Sequence, residues 1–247
     1  MAWRRTRTPY KVLVSEIMLQ QTSVARVTMK YGEFLRAFPS FRALAAAETA
    51  DVIAAWKGLG YNRRALALRE TAQLVVSRYR GRLPRTSLEL TELPGIGPAT
   101  AGAVLAYCFN IPLPFIETNI RRVFIHFFFA RQRKVPDAPI MALVEESLDR
   151  KNPREWYYAL MDYGAMLGRG RDNANRRSTG YTRQSAFPGS MRQLRGRVLE
   201  AMLKLKSAPS SQIARSLGEK DERLGEALRQ LADEGFLRRD HRRFYFR

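Results

Sequence analysis

The chain has 247 residues, 45% of them hydrophobic, enough for the core of one large or two to three small domains and too apolar for a disordered chain. No apolar run approaches the roughly 18 residues of a membrane span, and a lone cysteine, Cys108, excludes an internal disulfide or a metal site built from several thiolates. The 43 Lys and Arg against 23 Asp and Glu leave a charge of +20, which points to nucleic acid, with ribosomal or anionic-membrane association as the rival. The basic start MAWRRTRTPYK lacks the apolar stretch of a secretory signal. A reducing, cytoplasmic and nucleoid-associated setting is therefore expected, without membrane attachment.

Residues 1–167 read as a string of helices. Thr8-Pro9 offers an N-cap hydroxyl followed by proline in the first turn. Tyr10, Leu13, Val14, Ile17 and Met18 then recur on one helical face. Helical patterns continue at 22–37, 41–47, 49–57, 62–80 and 87–92, punctuated by Gly58, Gly60, Gly81 and Pro84. The stretch 96–109 is rich in Ala and Gly, so its backbone can approach a neighbour closely. The stretch 119–130, with Val123, Phe124, Ile125, Phe127, Phe128 and Phe129, reads as a buried helix. Two more helices are expected at 139–150 and 153–167. Strand-like alternation is nearly absent, so the fold is mostly α.

Composition shifts at 168–197, which holds eight Arg and one Asp with little periodicity. Residues 168–192 are expected to be a basic irregular segment that packs on the body or tracks phosphates; a solvated linker is the other reading. A new unit, 193–247, then begins. Helices are expected over Leu194–Leu205, from Pro209-Ser210-Ser211, and over Asp221–Glu234. Two short strands with a basic turn follow, from Phe236 to Phe246. Three helices and a β-hairpin make a winged helix, which binds DNA or packs on a protein surface.

Leu93-Pro94-Gly95-Ile96-Gly97 lies between two helical patterns. Two glycines around one apolar residue permit a tight turn. Backbone N–H groups then point outward at the next helix start, a ready site for a phosphate, while Ile96 plugs the core. A dinucleotide fingerprint fails here, because the preceding segment is helical and the third glycine is misplaced. A phosphate grip or a plain helix–helix turn remain.

These residues resemble the helix-hairpin-helix DNA glycosylase superfamily. Within it, Ser15-Glu16-Ile17-Met18-Leu19-Gln20-Gln21-Thr22 is similar to the helix signature of MutY-type adenine glycosylases. Gly58-Leu59-Gly60-Tyr61 and Met161-Asp162-Tyr163-Gly164-Ala165-Met166 are further matches, and the resemblance covers residues 3 to about 167. It implies two helical subdomains around a cleft. It implies that Glu16 is the acid that protonates the purine leaving group, that Glu117 stabilises the sugar cation, and that Asn119 supports the acid. It further implies DNA contacts by Gln20, Gln21, Thr22, Tyr61, Arg63, Gly95, Ile96, Gly97 and Thr100, with Gln21 and Tyr61 wedged near the orphaned base. This chain departs from the family in three ways. Glu117 stands where the family has Asp. Leu167-Gly168-Arg169 stands where the iron–sulfur cysteines would begin, so the cluster-free branch, with no cofactor and no metal, is expected. A winged-helix pattern stands where the family carries a module resembling a Nudix hydrolase.

The chemistry fits two carboxyl groups with divided roles. Glu16 flanks an apolar helical face, and burial there would raise its pKa and keep it protonated. Glu117, near Arg121 and Arg122, is expected to stay anionic. From helix position alone Glu16 also reads as a surface residue, Glu117 as a helix N-terminal acid, and Tyr61 as core packing. The position that carries a lysine in some lyase-active relatives is Ala99, so a monofunctional hydrolase is expected. The expected activity is release of flipped-out adenine opposite 8-oxoguanine or guanine, on double-stranded DNA, by a monomer. A mismatch uracil/thymine glycosylase and a non-catalytic DNA-binding protein are the alternatives.

Overall fold

The computed structural model describes residues 1–170, 173–184, 186–219 and 221–247. In chain order the first helices are α1 (Pro9–Leu19), α2 (Val24–Ala37), α3 (Phe41–Ala45), α4 (Thr49–Trp56) and α5 (Arg63–Ser77). Then come α6 (Ser87–Thr91), α7 (Pro98–Val104), α8 (Thr118–Phe128), α9 (Asp137–Ser147) and α10 (Pro153–Leu167). The chain ends with α11 (Met191–Leu205), β1 (Ser207–Pro209), α12 (Ser210–Leu217), α13 (Asp221–Asp233), β2 (Leu237–Asp240) and β3 (Arg243–Phe246). The fold is mostly helical, as expected. No helix among the described residues is long and apolar enough to cross a membrane.

Contacts divide the chain into two compact units, one of residues 1–2, 17–83 and 185–247, the other of 3–16 and 84–184. Residues 193–247 thus fall in the same unit as residues 17–83.

In the first unit, α2 buries Val27, Tyr31 and Phe34. Phe34 meets Trp56 of α4 edge-on at 5.7 Å and Phe38 at 5.1 Å. Ser40 starts α3 by accepting from the Ala43 amide, which satisfies one orphaned donor of the first turn. Helix α5 buries Ala65, Leu68, Ala72 and Val75. Burying a side chain of the size of Leu68 or Val75 contributes about 1.5–3 kcal/mol.

The C-terminal elements of this unit share a small core of Leu194, Val198, Leu199, Met202, Ile213, Leu224, Leu228, Leu231 and Phe236. Ser190 caps α11. The antiparallel sheet has the order β1-β3-β2, with Ala208 opposite Phe244 and Leu237 opposite Phe246. The strand β1 was not expected; at three residues and ending in proline it carries no alternation to read.

In the second unit, Thr86 caps α6: its hydroxyl oxygen accepts from the Glu89 amide and its hydroxyl donates to the Glu89 carboxylate. Helix α7 widens into a π-type turn, Leu105–Phe109, closed by Asn110 at φ +56°. Helices α8 and α10 lie against each other at a small-residue seam. A Cβ at Gly164 would come within 2.3 Å of the Asn119 carbonyl oxygen, and one at Gly168 within 2.6 Å of the Arg122 guanidinium. The expectation of a wholly buried helix over 119–130 is corrected: Val123, Phe124 and Ile125 are buried, but Phe127 and Phe128 are more than half exposed. The apolar run outlasts the face that packs.

The basic segment is partly built into this unit. Ala174–Arg177 form a 3-10 turn with Ala174 and Asn175 buried. Val135 bonds both to Arg177 and to Thr179 as a parallel bridge. The remainder of that expectation, at 171–172 and 185, lies outside the described residues.

Candidate active site and nucleic-acid contacts

Two carboxyl groups of the second unit are drawn into one electrostatic environment. Glu16, in the last turns of α1, is partly exposed yet so surrounded by protein that desolvation pushes its pKa up to about 8. The negative charge of Glu117 adds to that rise, and Arg4 opposes it. Arg4 opposes it weakly because its guanidinium is already paired with Asp162 at 2.6 Å and lies over the Tyr158 ring at 4.6 Å. Tyr158 stacks on Tyr107 at 4.5 Å, and burial with both carboxyl groups nearby holds the Tyr107 phenol well above its ordinary pKa. Tyr107 therefore stays a neutral hydroxyl. It sits in the π-type turn, a backbone irregularity frequent at functional sites.

Glu117 is the N-cap of α8. Its Oε1 accepts from the Asn119 amide at 2.6 Å and the Ile120 amide at 2.9 Å. Oε2 lies 3.5 Å from Asn119 Nδ2, a long contact. Arg122 donates to Asn119 Oδ1 at 2.8 Å and to the Gly164 carbonyl at 2.6 Å. A guanidinium only donates, so it fixes the side-chain amide with Nδ2 turned toward Glu117. Arg121 and Arg122 lower the Glu117 pKa, the direction expected of charges that keep it anionic, but they are not the largest influence on it. Burial dominates and raises its pKa, against the two backbone hydrogen bonds and the two arginines. Arg121 is spent on a two-pronged pair with Asp137, at 2.8 and 2.6 Å.

The hairpin turn also lies in the second unit. Leu93 and Ile96 are buried, while Gly95 and Gly97 are exposed. Gly95 adopts φ +76°, where a side chain is strained. Gly97 is the N-cap of α7, and Thr100 is half-buried in the first turn.

Gln20, Gln21, Thr22, Tyr61 and Arg63 belong to the first unit. Gln21 at φ +53° and Tyr61 at φ +47° are left-handed turns built without glycine. Arg64 binds both turns. It donates to the carbonyls of Ile17 (2.8 Å), Met18 (2.9 Å), Gln20 and Gly60 (2.9 Å), and to the Thr22 hydroxyl (2.9 Å). Thr22 in turn donates to Leu59 O at 3.2 Å. Gln21 is exposed and Tyr61 half-buried. Arg63 is exposed and lies 3.8 Å from Glu234.

Sequence reasoning missed Arg64, Tyr107 and Arg4. Their partners are mostly backbone carbonyls or residues far along the chain, and a single basic residue in a chain this basic carries no signal. The iron–sulfur cluster of the wider family does not fit the residues present. This sequence has one thiol, Cys108, which is buried, with its pKa raised to about 12 by desolvation.

Residues 14–149 match the HhH-GPD superfamily of base excision DNA repair proteins. The chain is 33% identical over 166 residues to the adenine DNA glycosylase of Buchnera aphidicola subsp. Baizongia pistaciae, covering 67% of this chain and 47% of that protein. Thus it spans about half the length of that relative. It is 34% identical over 223 residues to the adenine DNA glycosylase of Mycobacterium tuberculosis, covering 81% of this chain and 72% of the relative. Among solved structures it is similar to a thermostable thymine-DNA glycosylase, with TM-score 0.62 and 27% identity over 70% of this chain and 82% of that one.

Proposed function

Since the chain belongs to the HhH-GPD superfamily of base excision DNA repair proteins, we propose that it is a monofunctional DNA glycosylase that hydrolyses the N-glycosidic bond of adenine mispaired with 8-oxoguanine or guanine. The observation that carries this reading is the Glu16 carboxyl held protonated near neutrality, with its pKa at about 8, in the same unit as Glu117. The adenine glycosylases among its relatives supply the substrate class.

The steps follow from the residues. Duplex DNA approaches under the pull of a +20 chain, and the Gly95–Gly97 turn holds a phosphate. The target adenine leaves the stack, at a cost of a few kcal/mol that is least at a mispair. Gln21 and Tyr61 occupy the space it vacates. Glu16 delivers its proton to N7 of the adenine, which makes the base a neutral leaving group. Glu117, anionic at the moment of bond cleavage, stabilises the cationic sugar and aligns the water that attacks C1′. Arg122, through Asn119, keeps its Oε2 oriented. Neither step draws on a metal or cluster. With Ala99 beside the hairpin there is no amine to form a Schiff base, so the product is an abasic site. We place the enzyme as a monomer acting at the nucleoid of the cytoplasm, with the C-terminal helices and sheet as a winged helix against flanking duplex.

A second reading, thymine or uracil release opposite guanine, is favoured by one observation, the likeness to a thymine-DNA glycosylase. One experiment separates the two. The protein is incubated with duplexes carrying A opposite 8-oxoguanine, A opposite G, and T or U opposite G, and abasic sites are revealed with alkali. Cleavage of the A duplexes is expected. Cleavage of only the pyrimidine duplexes moves the assignment to the second reading, and cleavage of none removes the enzyme altogether.

A further inference from the structure

The C-terminal module grips the turn that carries Tyr61. Lys57 Nζ pairs with Glu200 Oε1 of α11 at 2.6 Å. Arg63 lies 3.8 Å from Glu234, which Arg195 of α11 also holds. Between these two ties, Arg192 in the first turn of α11 donates to the Tyr61 hydroxyl at 2.9 Å. The same guanidinium stands 5.2 Å from the centre of the Tyr61 ring and 5.4 Å from that of Phe187. Arg64 lies 5.6 Å from the Tyr61 ring.

We propose that Arg192 is a positioning residue for base extrusion: by fixing the Tyr61 ring, it makes the C-terminal module part of the wedge. The inference rests on the reading above, in which Tyr61 enters the stack. Two separate tasks are visible in the geometry. Arg64 fixes the backbone of the turn through carbonyl oxygens. Arg192 fixes the ring, whose orientation the backbone alone leaves to two side-chain torsions. A hydrogen bond at the far end of the phenol and a cation near its ring together restrain both. A wedge ordered in advance does not lose that freedom when DNA binds. Arg192 lies outside residues 14–149, the stretch matched to the superfamily, whereas the Tyr61 turn lies within it.

The test uses the full chain with Arg192→Met, which keeps the aliphatic stem, and Tyr61→Phe, which loses only the hydroxyl. A duplex with 2-aminopurine at the target position reports unstacking by fluorescence, and single-turnover adenine release is measured beside it. Each variant is expected to lower extrusion and release by about 3- to 10-fold, the weight of one hydrogen bond. The double variant is expected to fall no further than the worse single one, because both remove the same contact. Affinity for fully paired duplex, set by phosphate contacts, is expected to change less than about 2-fold. Arg192→Lys, which keeps a donor, should recover part of the loss. Wild-type extrusion in Arg192→Met, or a double variant whose loss is the product of the single losses, overturns the inference alone. A wild-type chain that extrudes the base and releases no adenine overturns the function proposed above instead.

Discussion

Glu16 differs from an ordinary surface glutamate by what surrounds it. Desolvation, with the charge of Glu117 added, moves its pKa from 4.5 to about 8. The acid form therefore dominates at neutral pH. Single-turnover adenine release is expected to hold up to about pH 8 and then fall with rising pH, tenfold per unit, as that proton is lost. Glu16→Gln keeps the shape and removes the proton. Release should drop by about 100- to 10,000-fold, with duplex affinity, measured by anisotropy, little changed. The same shift governs stability with a definite sign. The folded pKa lies above the unfolded one, so Glu16 favours the fold fully below about pH 4.5, and this is lost progressively as pH rises through about 8. Above pH 8 the wild type buries a charge that Glu16→Gln does not. The variant is thus expected to melt higher than wild type at pH 9, and equal or lower melting there would contradict the burial of this carboxyl. Glu16 was legible as a candidate from the octapeptide around it, and its raised pKa from the apolar face it flanks. The environment that tunes it was not legible. Tyr107, Tyr158 and Arg4 come from three separate stretches, and no spacing relates them.

At the scale of elements, the helices were legible because their ends are written locally. Ser40, Thr86 and Ser190 each accept a backbone amide at the start of a helix, and Gly81 and Gly218 turn left-handed after one. What joins elements was not legible. Arg64 in the first turn of α5 gathers the C-terminal carbonyls of α1 and the Gly60 turn, more than forty residues apart in the chain. A helix C-terminus presents unpaired carbonyls and partial negative charge, so a cation there is favoured on both counts. Burial lowers the Arg64 pKa to about 10, which still leaves it charged at any physiological pH. Only a planar fork can serve acceptors spread this widely; an ammonium has three donors on one point. Arg64→Lys is therefore expected to leave acceptors unsatisfied and cost about 1–3 kcal/mol, read as a Tm lower by about 2–4 °C for each kcal/mol. Release should fall with it, because Gln21 and Tyr61 sit in left-handed conformations that relax when the clamp is lost. A variant as stable and as active as wild type would show that the turns hold themselves.

For the whole molecule, the charge of +20 is the property that composition gave away first, and its use is now more local than the sum suggests. Many arginines are internal fasteners: Arg64 on α1, Arg121 on Asp137, Arg122 on Asn119 and Gly164, Arg154 on the Tyr107 carbonyl. The hairpin between β2 and β3 is different. Arg238, Arg239, Arg242 and Arg243 are all exposed there, with Asp240 as the acid among them. Arg238 and Arg239 lie near the rings of Tyr245 and Phe244, Arg239 donates to the His241 carbonyl, and Arg243 donates to Ser207, all neutral groups. Such contacts orient the guanidinium groups without cancelling their charge. Helix α13, by contrast, carries Glu222, Glu226 and Asp233 among its basic residues, a poor surface for a phosphate backbone. The hairpin, not the helix, is the surface of this module whose exposed charge suits a phosphate backbone. Replacing Arg238 and Arg242 by Gln removes two cations and leaves the ladder between β2 and β3 intact. Each phosphate contact adds about −0.9 to the slope of log affinity against log salt. The double variant should therefore bind duplex with a slope shallower by about 1.8, and lose affinity equally for mispaired and fully paired DNA. Its rate of adenine release at saturating enzyme should match wild type. An unchanged slope would assign the wing to packing and leave the hairpin turn at Gly95–Gly97 to grip the backbone without it.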